Sequence, residues 1–377
     1  MLHKNLLFFS LEEWNQVWRR NQFICSLLHR RHPDMRLLWV SPPVQVSPGR
    51  SLPELEVQSL SEFPNISLAT PLKLLPNTIG RALNDHALHA CVVSAVKQLG
   101  WKDFTIWVND QSVRNIIPLF PGKKIIYDIT DDWTETSMPA RIRRRADRDD
   151  AWLLAHADVV IVCSQRLYQL KSGKCHSLSL IPNGVEAERY APACLAQLQK
   201  PADMLNFSSP VAGYTGTLHE DRLDVELIRA VARIQPDTQF VLVGPDCLKP
   251  SVSKSLRELP NLHIMGARAY EELPAYLASF DVCIVPHRVS PFTESLDPLK
   301  LYEYCSTGKP IVSTPCAGFR DMNCLISLAR GADEFSARIA DLIAKPDFEA
   351  GALRVAWAAK QSWIDRVERI ERLLAWR

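Results

Sequence analysis

The chain has 377 residues, 47% hydrophobic and 23% charged, which excludes disordered, collagen-like and low-complexity proteins and predicts two domains at roughly 150 residues each. Forty-four Lys plus Arg against 42 Asp plus Glu leave a formal charge of +2, which argues against a nucleic-acid partner. No apolar run approaches the roughly 20 residues of a bilayer-spanning helix, and the apolar stretch after Lys4 ends at Ser10, too short for a secretory signal, so a cytoplasmic location is expected.

Short apolar runs of strand length recur along the first half: "NLLFFS", "RLLWVS", "TIWVN", "KIIYDIT", "DVVIVCS" and "LSLIPNGV". Stretches with helical spacing follow them, the pattern of a parallel sheet covered by helices. The rhythm lapses between Glu186 and Pro210, where Pro192, Pro201 and Pro210 punctuate the chain, and resumes with "VAGYTGT", "TQFVLVG", "NLHIMG", "DVCIVP", "PIVST" and "LISLA". The expected fold class is therefore α/β, with two Rossmann-like doubly wound domains facing across a cleft. The expected boundaries are 1–190 for the first domain, 191–209 for a linker, 210–350 for the second domain and 351–377 for one long amphipathic helix. That last helix either caps the second domain or crosses back to the first. Ligands in such sheets bind beyond the carboxyl ends of the strands.

Ten cysteines lie scattered from Cys25 to Cys324 without a C-x-x-C pair, and Cys163 and Cys283 sit inside apolar runs. Buried reduced thiols are expected, with no structural zinc and no cofactor. Residues 1–190 carry 23 basic and 19 acidic side chains, and the excess concentrates in "RIRRRADR", Arg141 to Arg148. A solvated helix face explains this run; a weak contact with an anionic membrane surface is the functional alternative.

In the second half, "DPLKLYEYCSTGKP" predicts a short helix with Pro298 at its start, Gly308 as its C-terminal cap and Pro310 stopping it. An anion at its N-terminus would gain from unpaired N–H groups, and Lys300 adds a full charge. Glu303, one turn on, can accept ribose hydroxyls. An exposed ion pair between Lys300 and Glu303 explains the two residues equally well. "GYTGT" places Gly216 and Thr217 at a strand end where backbone approaches something closely, although it matches neither G-x-G-x-x-G nor a P-loop.

In the first half, "YDITDDW" sets Asp128, Asp131 and Asp132 at a strand end. Mutual repulsion there would raise proton affinity toward the range of a general base, while helix capping by Asp131 or Asp132 is the plainer role. After the first strand, Ser10, Trp14, Trp18, Arg20, Asn21 and Gln22 combine aromatic faces with hydrogen-bond donors suited to a sugar ring, or to an ordinary amphipathic helix.

Taken together, "GYTGTLHEDRLD", "PDTQFVLVGP", "NLHIMGARAYEELPAYLASFDVCIVPH" and "PLKLYEYCSTGKPIVST" resemble the C-terminal half of GT-B glycosyltransferases. The resemblance is to the bacterial polysaccharide group that includes teichuronic acid transferases and the glucuronosyltransferase of xanthan synthesis. "W-x-x-x-W-R-R-N-Q", "YDITDDW", "LIPNGVEAERY" and "KQSWIDRVERI" extend it more loosely, the last resembling a terminal helix that crosses back to the first domain. The resemblance implies donor contacts at Gly216, Thr217, Pro298, Lys300 and Glu303, with Glu303 as the second Glu of an E-x7-E pattern. The first Glu of that pattern falls at Ser295, with Glu294 one residue out of register. It also implies Asp131 as the base of an inverting transfer, with Asp132 in reserve, and Ser10, Trp14, Arg20, Asn21 and Gln22 as acceptor contacts.

The expected function is therefore transfer of a sugar from a nucleoside diphosphate, UDP or GDP, to a hydroxyl of a lipid-linked or growing bacterial glycan, without a metal. The protein is expected in the cytoplasm or peripheral at the inner face of the plasma membrane. The alternatives are a catalytically inactive nucleotide-binding scaffold, which Ser295 keeps open, and a GT-B sugar-nucleotide epimerase.

Overall fold

The computed structural model describes residues 4–45, 57–73, 75–76, 81–136, 138–207, 210–322 and 324–374. The chain divides into two compact units. The described residues from Lys4 to Thr130, Met138 to Ile181 and Val367 to Leu374 form one, and those from Asp131 to Thr136 and Pro182 to Arg366 form the other.

The strands of the first unit are β1 (Asn5–Phe9), β2 (Arg36–Val40), β3 (Val44–Gln45), β4 (Gln58–Ser59), β5 (Ile66–Ala69), β6 (Leu72–Lys73), β7 (Thr105–Val108), β8 (Ile125–Ile129), β9 (Val159–Val162) and β10 (Leu178–Leu180). Eight of them form one sheet in the order β10-β9-β8-β7-β1-β2-β5-β4, while β3 and β6 pair separately. Only β4 runs antiparallel to its sheet neighbour. Strands buried on both faces read as continuous apolar runs, which is why "NLLFF" and "VVIV" carry no alternation. Phe8 stacks against Trp39 and Trp107 at 5.1 and 5.5 Å on one face, and Leu7, Phe9, Leu38, Val108 and Val160 join a separate core cluster.

The second unit carries β11 (Val211–Thr215), β12 (Gln239–Val243), β13 (Leu262–Gly266), β14 (Val282–Val285), β15 (Ile311–Ser313) and β16 (Ser327–Leu328). They form an all-parallel sheet in the order β13-β12-β11-β14-β15-β16, so the order reverses between β11 and β14. Such a reversal leaves a crevice at the carboxyl ends of the two strands. Ala212, Tyr214, Leu242, Val282 and Ile284 of the sheet pack in one buried core with Leu227, Ile228 and Val231 of the helix Val225–Ile234.

Four expectations are corrected. Pro182–Tyr190 and the described part of the expected linker, 191–207, fold with the second unit, because Tyr190, Leu195 and Met204 are buried there. Asp131 and Asp132 also belong to the second unit, although Asp128 lies within β8 of the first. The single terminal helix is two, Phe348–Ala358 and Trp363–Leu373. Between them the backbone turns to bridge Val185 with Ser362 and to give the Gln361 carbonyl to the Val185 N–H. Residues from Val367 onward count with the first unit, where Glu371 receives Arg31 at 2.8 Å. Finally, Cys247 and Cys324 are exposed, whereas Cys25, Cys91, Cys163, Cys283, Cys305 and Cys316 are buried. Among the described residues no helix is long and apolar enough to cross a membrane, and no group of His, Cys, Asp or Glu is placed to hold a metal ion.

Candidate functional site

Charged side chains gather where β11 and β12 end. Gly216 follows β11 with φ +132° and Gly244 follows β12 with φ +150°, conformations that favour glycine. A Cβ on Gly244 would lie 2.1 Å from the Gly216 carbonyl oxygen, and one on Gly216 would lie 3.3 Å from the Lys300 Nζ. The two glycines thus let two strand ends and a lysine share one small volume. Thr217 beside them is half-buried.

The helix Leu299–Thr307 forms as its punctuation predicts: Pro298 is its buried N-cap, and Gly308 closes it in the left-handed region at φ +69°. Tyr304 anchors the helix by accepting the Thr215 N–H at 2.7 Å and the Thr215 hydroxyl at 3.1 Å. Lys300 in the first turn lays its ammonium 5.0 Å from the centre of the Tyr214 ring, a cation–π contact. Lys300 and Glu303 are half-buried, not the exposed pair that an isolated helix would present.

Burial dominates their chemistry. It lowers Lys300 to about 8, helped by the nearby Arg222 charge and opposed by Glu303 and Cys316. It raises Glu303 to about 7, against the pull of the Lys300 ammonium and the Tyr190 hydroxyl. Both values lie near neutral pH because burial leaves the two charges poorly solvated. His287, 1% exposed, is held well below its ordinary value by burial, then by Lys300 and Arg222. Its Nε2 lies 3.3 Å from the Tyr214 hydroxyl, so a neutral imidazole, a phenol and an ammonium stand in sequence. Glu303 is backed by Tyr190 and Tyr270, whose hydroxyls burial pushes up first and the Glu303 charge further. A separate cavity of about 660 Å³ lies past β14–β16, lined by His287, Thr314, Asp224, Arg320 and Gly331, without Lys300 or Glu303.

The acidic trio is not a shared-charge site. Asp128 is fully buried and receives the Arg20 guanidinium through two 3.2 Å bonds. Asp131 pairs with Arg222 Nη2 at 3.2 Å. Asp132 caps the short turn Trp133–Glu135, accepting the Thr134 N–H and hydroxyl at 3.2 and 2.6 Å. Each carboxylate has its own hydrogen-bonding partner. Ser295, where the resemblance expects a Glu, is fully buried and accepts the Asp132 N–H at 3.0 Å.

The expected acceptor patch is an internal brace of the first unit. Ser10, Arg20, Asn21 and Gln22 are all buried. Asn21 donates to Ser10 Oγ and to Asn109 Oδ1, and Gln22 spans Arg19 and the Asn15 carbonyl. Trp14 and Trp18 are half-buried and pack edge-on with each other and against Trp39, Phe63 and Phe23. These donors are occupied by one another, which corrects their reading as open sugar contacts. The residues that sequence reading passed over are Arg222, Tyr214, His287 and Gly244. Arg222 lies in a quoted run among acidic neighbours, and only its fold partners distinguish it.

Residues 209–345 match the family Glycosyl transferases group 1. Over 223 residues the chain is 28% identical to TuaH of Bacillus subtilis (strain 168), named as a teichuronic acid biosynthesis glycosyltransferase. That alignment covers 55% of this chain and 55% of TuaH, so the chain spans about half the length of the curated relative it matches. Among solved structures, sucrose-phosphate synthase of Thermosynechococcus elongatus superposes with TM-score 0.73 at 18% identity, covering 99% of this chain and 98% of that one. Anabaena HepE in complex with UDP and glucose gives TM-score 0.71 at 17% identity over 100% of both chains. The chain has the GT-B fold, and its residues 209–345 are similar in sequence to the glycosyl transferases of group 1.

Proposed function

We propose that this chain is a glycosyltransferase that moves a sugar from a nucleoside diphosphate, with UDP the first candidate, to a hydroxyl of a lipid-linked or growing bacterial glycan. The observation that carries the reading is the pairing of half-buried Lys300 and Glu303 on one helix turn, beside Arg222 and the two strand-end glycines. Two cations converge where a diphosphate would gain most from them, and a carboxyl one turn away can receive ribose hydroxyls. Gly216, Thr217 and Pro298 shape the backbone around that anion. UDP in a structure of HepE supports the choice of nucleotide.

In this reading Asp131 takes the proton of the acceptor hydroxyl, configuration at the anomeric carbon inverts, and Asp132 holds the turn. The small Ser295 side chain, in place of a Glu, favours this course over a retaining one. Peripheral contact with anionic lipid rests on the exposed Arg141, Ile142 and Arg144 of the helix Ala140–His156. The cluster is narrower than the sequence suggests, since Arg145 and Arg148 are drawn to Asp149 at 3.0 and 3.3 Å.

Calorimetry with UDP tests the donor site: Lys300→Ala and Glu303→Ala should each weaken binding, and unchanged affinity in both puts the site elsewhere. Turnover tests the base: Asp131→Asn should lose on the order of 10²-fold with UDP binding retained. A product whose anomeric configuration matches the donor's, read by NMR, removes the need for that base.

A further inference from the structure

A base paired with an arginine is poorly placed to accept a proton, and here the same arginine stands beside the proposed diphosphate site. Arg222 Nη2 lies 3.2 Å from Asp131 Oδ1, with the arginine side chain 32% exposed and the aspartate 14%. The Arg222 carbonyl accepts the Arg288 N–H at 2.8 Å and the next residue, Leu223, bridges to His287, whose Nε2 lies 3.3 Å from the Tyr214 hydroxyl on the ring that carries the Lys300 ammonium at 5.0 Å. Its guanidinium carbon lies 5.5 Å from the centre of the Phe292 ring, and Trp133, two residues past Asp131, packs on that same ring at 5.9 Å. Ser295, three residues past Phe292, accepts the Asp132 N–H. The turn bearing Asp131 and the head group of Arg222 are therefore docked on one short segment, Phe292–Ser295.

Resting on the donor-site reading above, we infer that Arg222 is a shared partner: it holds Asp131 while the donor site is empty and turns to the diphosphate when a nucleotide sugar binds. Asp131 then loses its cation only in the complex that needs a base. The step that follows balances simply. The acceptor O–H bond breaks and its proton goes to the Asp131 carboxylate. The acceptor oxygen bonds to the anomeric carbon, and the bond from that carbon to the phosphate oxygen breaks with its electron pair leaving on the nucleoside diphosphate. Arg222 acts toward Asp131 as a positioning residue, and Ser295 sets the place of the turn.

A double-mutant cycle read by UDP binding tests this without knowledge of the acceptor. If Asp131 and the diphosphate compete for Arg222, Asp131→Asn should tighten UDP by about two- to fivefold, the scale of a partly exposed ion pair. In the Arg222→Gln background the same change should leave affinity where it was. Should Gln abolish UDP binding, Arg222→Lys serves as the second background, because one ammonium keeps a charge for the phosphates without a fork that reaches both partners. A gain from Asp131→Asn that is smaller than with Arg222 then supports the exchange. Equal tightening in both backgrounds means plain charge repulsion and overturns the shared role, as does no tightening at all. A wild-type chain that fails to bind UDP defeats the donor reading itself, and the inference with it.

Discussion

Replacing Glu303 by Gln should make the protein more stable and its nucleotide binding weaker, with both effects dependent on pH. The carboxyl sits at about 7 in the folded chain against an ordinary 4.5, chiefly because burial strips its water. A group whose folded value is raised contributes stability that is fully present below the unfolded value, and that stability is lost as pH rises through the folded value. The relevant window is therefore about pH 4.5 to 7, beyond which the folded chain carries a poorly solvated negative charge. At about 1.4 kcal/mol per pH unit the displacement sets a ceiling of about 3 kcal/mol. Partial exposure and the favourable Lys300 charge, lost with the carboxylate, reduce this to about 1–2 kcal/mol. For a unit of this size that corresponds to about 2–8 °C in Tm. Thermal melts of wild type and Glu303→Gln at pH 8 should differ by that amount, and the gap should shrink to under about 1 kcal/mol at pH 5, where Glu303 is already protonated in the folded chain. UDP affinity at pH 8 should fall by about tenfold, since a neutral amide replaces a charged acceptor. A variant equally stable with wild type at both pH values would show that Glu303 is solvated as a surface residue is, and the geometry drawn around Tyr190 and Tyr270 would be wrong.

Gly244→Ala should cost about 1–3 kcal/mol and weaken UDP binding, because the new Cβ would meet the Gly216 carbonyl at 2.1 Å and displace the strand end that shapes the Lys300 pocket; normal melting with normal binding counts against that packing. Arg20→Leu should lose about 3–5 kcal/mol in urea denaturation by leaving Asp128 buried and unpaired, and adding Asp128→Asn should recover part of it. A loss no larger than that of a surface substitution would return Arg20 to the role of an open contact. Flotation with anionic vesicles should show weak, salt-sensitive binding that disappears when Arg141 and Arg144 become Ser. Binding that ignores salt would refute the electrostatic account.

Much of the architecture was readable one strand at a time. All twelve apolar runs picked out by length and composition form strands, because strands covered on both faces need no partner information to be apolar throughout. The helix Leu299–Thr307 was equally legible, since Pro at its start and a left-handed Gly at its end act within a few residues. The two-residue strands β3, β4 and β6, and the break between Ala358 and Trp363, left no local signal; they exist through pairing with distant backbone.

The site divides along the same line. Residue type and spacing were enough to single out Lys300 and Glu303, but their half-buried state, and with it their chemistry near neutral pH, depends on Tyr214, Tyr190 and Tyr270, which come from elsewhere in the chain. Three aspartates within five residues looked like one electrostatic unit. Tertiary structure gave Asp128 to Arg20, Asp131 to Arg222 and Asp132 to its own turn, because a charge takes the partner that folding brings within about 3 Å over a neighbour along the chain. Likewise the hydrogen-bonding side chains after β1 read as sugar contacts from their chemistry alone. Burial decided otherwise, since polar groups removed from water must find partners, and Ser10, Asn21 and Asn109 found each other.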